Sequence, residues 1–210
     1  MGIYEFAGCV VSYEPLYGLL RRRMETYRSD TERQPDITLD GTKEDYEKLR
    51  KQYPHLSIEE CEYSCAGAEF YMKLLKHQGF MIHASAVEKE GKAYLFSAPS
   101  GTWKSTHAQL WRQTFKGEPI RIINDDKPAV CLQNGVFYAC GTPFSGKTDK
   151  NENRKAPIQG LCMLHRGKTN KIQKITSGEA LPLILPQTLF YGDEEETNLL
   201  LSFLDRFLQS

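Results

Sequence analysis

Apolar and polar positions along this chain follow two periods, and the switches between them mark its elements. Ile3 to Val11 reads as a first strand, and Tyr13 to Arg28 as a helix with Leu16, Leu19, Leu20 and Met24 on one side. A polar connection over residues 29–36 leads to a short strand at Ile37-Thr-Leu39, and Lys43 to Gln52 predicts a short helix. A longer helix follows Ser57, which makes a capping-box pattern with Glu60. Cys65, Ala68, Phe70, Tyr71, Leu74 and Leu75 give it an apolar core stripe before Gly79. Two strands flank Glu88-Lys-Glu-Gly-Lys92, whose turn chemistry predicts a hairpin. Further strands are expected near 120–124, 128–132 and 136–140, the last two joined through Asn134-Gly135, a strong hairpin signal. Gly160 to His165 and Lys171 to Ile175 read as neighbouring strands, with helices over Ser177–Leu185 and Glu194–Leu208 closing the chain.

One polar stretch interrupts this pattern with chemistry. Ser97-Ala-Pro-Ser-Gly-Thr-Trp-Lys-Ser-Thr106 lies between the apolar run Ala93-Tyr-Leu-Phe96 and a helical pattern through Trp111. Strand, tight loop, Lys-Ser and helix form the frame in which backbone N–H groups and a helix N-terminus surround a phosphate. Ser100, Gly101, Thr102, Trp103, Lys104, Ser105 and Thr106 are the candidate nucleotide-binding residues. The usual pattern has glycine where this chain has Ala98 and Trp103, and Gly101 alone keeps the backbone latitude. A bulky residue at positive φ costs roughly 1–2 kcal/mol, which is small beside a multivalent phosphate interaction. Three outcomes follow: the indole swings outward, even stacking on a base; the loop takes a smaller anion; or nucleotide binding is lost.

Ile120-Arg-Ile-Ile-Asn-Asp-Asp126 is an apolar run ending in two carboxylates. Phosphoryl transfer to a hydroxyl uses a carboxylate-held metal and a nearby base. Neighbours on an extended chain point to opposite sides, so Asp125 and Asp126 can serve one site only if the strand ends or bends there. Asn124 and Pro128 predict that ending. Taken alone, the pair reads as a solvated turn; the upstream Lys-Ser loop favours the functional reading. Downstream, the long polar segment Gly141 to Arg154 offers Lys147 and Arg154 as candidate cations for a transferring phosphoryl group. Gly146-Lys147-Thr148 echoes the end of a phosphate loop without the strand–loop–helix frame, and is expected to be a chance match.

Ser-Gly-Thr-x-Lys-Ser-Thr at 100–106, Asn-Asp-Asp at 124–126 and His83-Ala-Ser-Ala-Val87 on the preceding strand together resemble the HPr kinase and phosphoenolpyruvate carboxykinase superfamily, most closely the small HPr-kinase-related proteins of bacteria. The resemblance covers roughly residues 80–190. It implies an α/β fold with a mixed, hairpin-containing sheet like that of the kinase C-terminal domain, built from residues 80–210, with an α+β segment at 1–79 packed on it. It also implies ATP and Mg2+ as ligands, with Lys104 on the β- and γ-phosphates and Ser105 on the metal. Asp125 would then be the base and Asp126 the acid near the metal, a division that could be reversed. His83 matches the family's active-site histidine beside the acids; by its sequence surroundings it reads equally as a core histidine.

Composition narrows the partners. Twenty-seven basic and 27 acidic residues balance to a formal zero over 210 residues, which argues against bulk nucleic-acid or membrane-surface binding. No apolar stretch approaches the roughly 20 residues needed to span a bilayer. The first residues lack the features of an export signal, so a cytoplasmic protein is expected. Cys9, Cys131, Cys140 and Cys162 read as buried thiols, and neither zinc nor disulfides are expected from the six cysteines. The leading expectation is a kinase acting on a hydroxyl of a protein, peptide or small metabolite; the alternative is a non-catalytic nucleotide- or anion-binding module. The acceptor and the assembly state, a homo-oligomer included, stay open.

Overall fold

The computed structural model describes every residue except Lys116, Glu118, Phe190 and Tyr191. The chain begins with an antiparallel hairpin, β1 (Gly2–Phe6) and β2 (Cys9–Tyr13), rather than one strand over Ile3–Val11. Ala7 and Gly8 make the turn with φ of 52° and 80°, a left-handed pair that suits the twist of a two-residue hairpin. Alanine gives no turn signal, so the apolar run hides the reversal.

The helix expected over Tyr13–Arg28 contracts to α1 (Gly18–Met24) and a 3-10 turn at Glu25–Tyr27. Segment 14–17 is held out of the helix by Glu62, whose buried carboxylate accepts the amides of Leu16 at 2.5 Å and Tyr17 at 3.1 Å. Strand β3 (Ile37–Thr38) pairs parallel with β2. Helices α2 (Lys43–Gln52) and α3 (Ile58–Leu74) both begin with complete capping boxes, Thr42 with Asp45 and Ser57 with Glu60. The buried face of α3 carries Cys61, Glu62, Ala66, Phe70, Tyr71 and Leu74, while Cys65 and Ala68 are half-buried. The stripe is rotated from the expected one because Glu62, a polar residue by type, faces inward to bind the α1 approach.

A seven-stranded sheet follows, formed by β4 (Gly79–Met81), β5 (Ala84–Lys89), β6 (Lys92–Ser97), β7 (Arg121–Asn124), β8 (Ala129–Gln133), β9 (Val136–Cys140) and β10 (Lys155–Met163), in the order β4-β8-β9-β10-β6-β5-β7. Only β10 and β6 run parallel, so the sheet is mixed and the chain is α/β. Glu90-Gly91 and Asn134-Gly135 close their hairpins with both residues at positive φ. Strand β10 starts and ends earlier than expected. Its Lys155–Pro157 part pairs with β9, and Ile158 with Gly160–Met163 pairs with β6. Lys171–Ile175 is not a strand: Ile172 and Ile175 lie three apart, so no period of two directs them to one face. Three helices complete the set: α4 (Lys104–Thr114), α5 (Ser177–Ile184) and α6 (Glu194–Gln209). Among the described residues no helix is long and apolar enough to cross a membrane.

An aromatic cluster joins the first sheet to the second. Phe144, fully buried in the segment after β9, lies among Phe6, Tyr63, Phe70 and Tyr71, with ring centroids 5.7–6.5 Å apart. A second cluster forms under α6, where Phe207 meets Phe80 and Phe137. We expect Phe144→Ala to cost about 3–5 kcal/mol in urea unfolding, the range for emptying a packed aromatic site. A loss under about 1 kcal/mol would show that this ring does not anchor the segment.

Candidate phosphate-binding site

Strand β6 delivers the chain into the loop at 98–103, and α4 starts at Lys104, as the sequence predicts. Gly101 has φ of 76°, and Trp103 has φ of 60° and ψ of 31°. The left-handed turn usually reserved for glycine is therefore kept with an indole on it. Trp103 is 69 % exposed, so its ring turns outward and does not fill the loop. The Arg166 guanidinium stands 5.4 Å from the centre of that ring and donates to Gly101 O at 3.1 Å.

No side chain caps α4, and its first turn holds no acid. The amides of Lys104, Ser105 and Thr106 have no intrahelical acceptor and stand at the positive end of the helix dipole. Lys104 is 7 % exposed and folds back over the loop, its Nζ donating to Ala98 O at 3.0 Å. Burial pulls its pKa down, and the charge of Asp126 partly offsets that.

The acids are set by Asn124, the last residue of β7. Its Oδ1 accepts the amides of Asp126 at 3.0 Å and Lys127 at 2.8 Å, an Asx turn that ends the strand. Beyond it the two carboxylates part. Asp125 is 2 % exposed; its carbonyl accepts Ser85 Oγ at 2.9 Å and Ser105 Oγ at 3.4 Å, and its carboxylate accepts the Thr148 hydroxyl. Burial raises its pKa, the Thr148 bond opposes that, and the neighbouring Asp126 charge adds to the rise. Asp126 faces His83, whose Nε2 lies 3.3 Å from Oδ1, while Lys127 Nζ stands 3.6 Å from Oδ2. Burial alone would raise the Asp126 pKa, but the His83 bond, Lys127 and Lys104 outweigh it and hold it below the ordinary value.

Ser105 lies against Asp125, and His83 against Asp126, which is the reversed one of the two divisions of the acids that the sequence leaves open. His83 itself is not within a strand but in the break between β4 and β5. Its amide donates to Gln187 O at 2.7 Å, and its Nδ1 is 3.1 Å from Gln187 Oε1, so the turn after α5 orients the imidazole.

Segment 141–154 divides the two candidate cations. Gly146 packs directly on Asp126: a Cβ there would sit 2.7 Å from Oδ2, and its φ is 69°. Thr148 reaches Asp125, so the exposed Lys147 lies between two residues that touch the acids. Arg154 does not join them. Residues 151–152 run antiparallel to β7, with Glu152 N donating to Ile123 O at 3.0 Å, and this carries Arg154 back along the sheet. It ends on Glu88, with Nε 2.7 Å from Oε2, and on Glu152 at 3.3 Å. Glu88 is four residues along β5 from Ala84, roughly 13 Å away from the His83 end.

Thr148 and Gln187 were missed from sequence. Gly146-Lys147-Thr148 carried the first signal; in the structure Thr148 seats Asp125 and Gly146 lies against Asp126. Ser105 and Asp125 carry oxygen atoms of the hard kind that Mg2+ prefers. No group of three or more His, Cys, Asp or Glu suited to a metal occurs among the described residues.

Two opposite pH dependences follow from the acids. Folding raises the Asp125 pKa, so its contribution favours the fold at low pH and is lost as pH climbs from the ordinary carboxylate value through the raised one. The Asp126 contribution is present above the ordinary value and lost as pH falls through the lowered one. We expect Asp125→Asn to stabilise and Asp126→Asn to destabilise the fold at neutral pH. Denaturant midpoints from about pH 3 to about pH 8 check both signs. No protein-family model matches this chain and no curated protein matches its sequence, so the functional reading rests on the arrangement of these side chains.

Proposed function

We propose that this chain is an ATP- and Mg2+-dependent phosphotransferase that moves the γ-phosphate to a hydroxyl of a protein, peptide or small molecule, in the manner of the HPr-kinase-like proteins it resembles. The supporting observation is convergence: the open N-terminus of α4, the Lys104 ammonium and two carboxylates in different electrostatic states meet beyond the ends of β6 and β7.

Lys104 leaves Ala98 O for the β- and γ-phosphates, exchanging a neutral carbonyl acceptor for anionic oxygens that attract its ammonium more strongly. The amides following Trp103 hold the same phosphates. Asp126, kept ionised by His83 and Lys127, accepts the proton of the attacking hydroxyl. That oxygen bonds to the γ-phosphorus as the bond to the β-bridging oxygen breaks, and ADP departs. Asp125 and Ser105 are the residues that would hold Mg2+, which supplies charge neutralisation at the phosphates. Lys147 is placed to approach the transferring group from the segment resting on the acids.

The second reading, a module that binds a nucleotide or anion without transfer, draws on Asp125. Its carboxylate is buried and already engaged by Thr148. Titration calorimetry with ATP, GTP and pyrophosphate, with and without Mg2+, decides between the readings when paired with ATP hydrolysis. We expect Lys104→Ala to weaken triphosphate binding at least about tenfold. Asp126→Asn should keep binding and lower hydrolysis by about 100-fold or more. Binding with no turnover in the parent chain would select the second reading, and no heat with any ligand would end both.

Trp103→Gly tests the loop separately. Because the indole faces outward, we expect pyrophosphate affinity to change less than about threefold, while relief of the left-handed strain adds about 1 kcal/mol of stability. A large gain in affinity would show that the ring obstructs the site.

A further inference from the structure

We infer that the open edge of β10 is a docking strip for an extended, acidic peptide segment. The inference concerns binding alone and stands whether or not the phosphate loop takes a nucleotide.

Strand β10 has a partner on only one side over its second half. Residues Lys155–Pro157 pair with β9, but Ile158 and Gly160–Met163 pair only with β6, and no strand lies on the opposite edge among the described residues. Leu164 N donates to Ser97 O at 2.8 Å on the β6 side. By the two-residue period, the amides of Cys162 and Gly160 face β6 as well, and those of Leu161 and Met163 face the open edge. A row of unpaired backbone donors and acceptors is the feature to which an extended chain adds.

The space beside that edge is shaped to receive one. A cavity of about 930 Å³ runs between β10, residues 171–177 and helices α5 and α6. Its apolar lining includes Leu161, Met163, Leu183 and Phe207, and Ile172 at its rim is 88 % exposed. Gly160 leaves a bare place in the strand: a Cβ there would meet nothing within 4 Å, and its φ is not positive, so the fold itself does not demand glycine.

Charge selects the partner. Residues 164–176 carry Arg166, Lys168, Lys171 and Lys174 and no acid. Lys171 and Lys174 line the cavity, and among the described residues neither they nor Lys168 sit in an ion pair. Glu179 is the acid on the lining, and its carboxylate is committed to capping α5 through Thr176 at 2.8 Å. An extended segment with acids on one side and apolar residues on the other satisfies the backbone row, the apolar floor and the lysines together.

The probe is an end-blocked octapeptide of alternating Glu and Val, compared with its Lys-for-Glu version and with a fully N-methylated Glu-Val version. Hydrogen exchange on the full chain reads the edge, and fluorescence anisotropy reads affinity. We expect the Glu-Val peptide to slow exchange at Leu161 and Met163 and not at Gly160 or Cys162. The Lys version should bind at least about tenfold more weakly and the N-methylated one should fail to bind. Met163→Pro, which removes an outward donor and spares the β6 ladder, should weaken binding at least about tenfold. Lys171→Glu with Lys174→Glu should weaken it about fivefold and decides the matter if the proline variant does not fold. The inference is overturned if millimolar peptide leaves the Leu161 and Met163 amides unprotected, or if N-methylation leaves affinity unchanged. It is equally overturned if those amides are already protected in the free chain, whether by a second copy, seen as concentration dependence, or by the chain's own 171–175 segment.

Discussion

Asn124 occupies the point on which the rest of the site depends. Its carboxamide is buried, and both ends are used: Oδ1 takes the amides of Asp126 and Lys127, and Nδ2 donates to Thr142 O and Oγ1 at 3.2 Å each. Thr142 also reaches Lys127 O and the hydroxyl of Tyr71, which itself donates to Lys127 O. The turn after β7 is therefore braced from α3 and from the segment after β9. A carboxamide has both a donor and an acceptor end, so aspartate at this position would lose the links to Thr142 and add a third negative charge beside two others.

Two neighbouring carboxylates repel one another, and the turn resolves this by giving each its own surroundings. Asp126 receives the cations and the imidazole, while Asp125 receives hydroxyls and burial. Two groups of identical chemistry thus acquire opposite pKa shifts from position alone. Separated acids of this kind recur where one carboxylate must remain ionised and another must await a compensating charge.

Much of this was legible where one residue type carries one local meaning. Ser57-Glu60 marked the α3 start, Asn134-Gly135 marked a hairpin, and the Lys-Ser loop marked the strand-to-helix junction. What escaped depended on distant residues. Glu62 unwinds the approach to α1 from 45 and 46 positions away, and Gln187 orients His83 from 104 positions away. Arg154 was misplaced because a charge in a polar loop shows no direction; the backbone pairing of residues 151–152 with β7 determines where it goes. The division of roles between the two acids stayed open in the sequence for a related reason. Sequence places Asp125 and Asp126 side by side but contains nothing about which one the turn presents to Ser105.

The first 79 residues, silent in the motif pattern, bear on the site through the segment that rests on it. Arg23 Nε lies 3.2 Å from Asp149, and its Nη2 donates to Gly146 O at 2.7 Å. The Tyr63 hydroxyl oxygen accepts the amide of the same Gly146 at 3.0 Å, and Tyr27 donates to Asn151 Oδ1 at 2.5 Å. The Arg23 guanidinium also stands 4.8 Å from the Tyr63 ring centre. Residues 146–151 are thus fastened from α1, the 3-10 turn after it and α3 at positions on both sides of Thr148. Because Gly146 lies against Asp126 and Thr148 against Asp125, any shift of that segment changes the surroundings of both acids at once. A free polar loop of this length would sample many geometries, and the cost of ordering it for each encounter would fall on binding. Here the N-terminal helices meet that cost during folding, so the acids face a fixed wall rather than a mobile one.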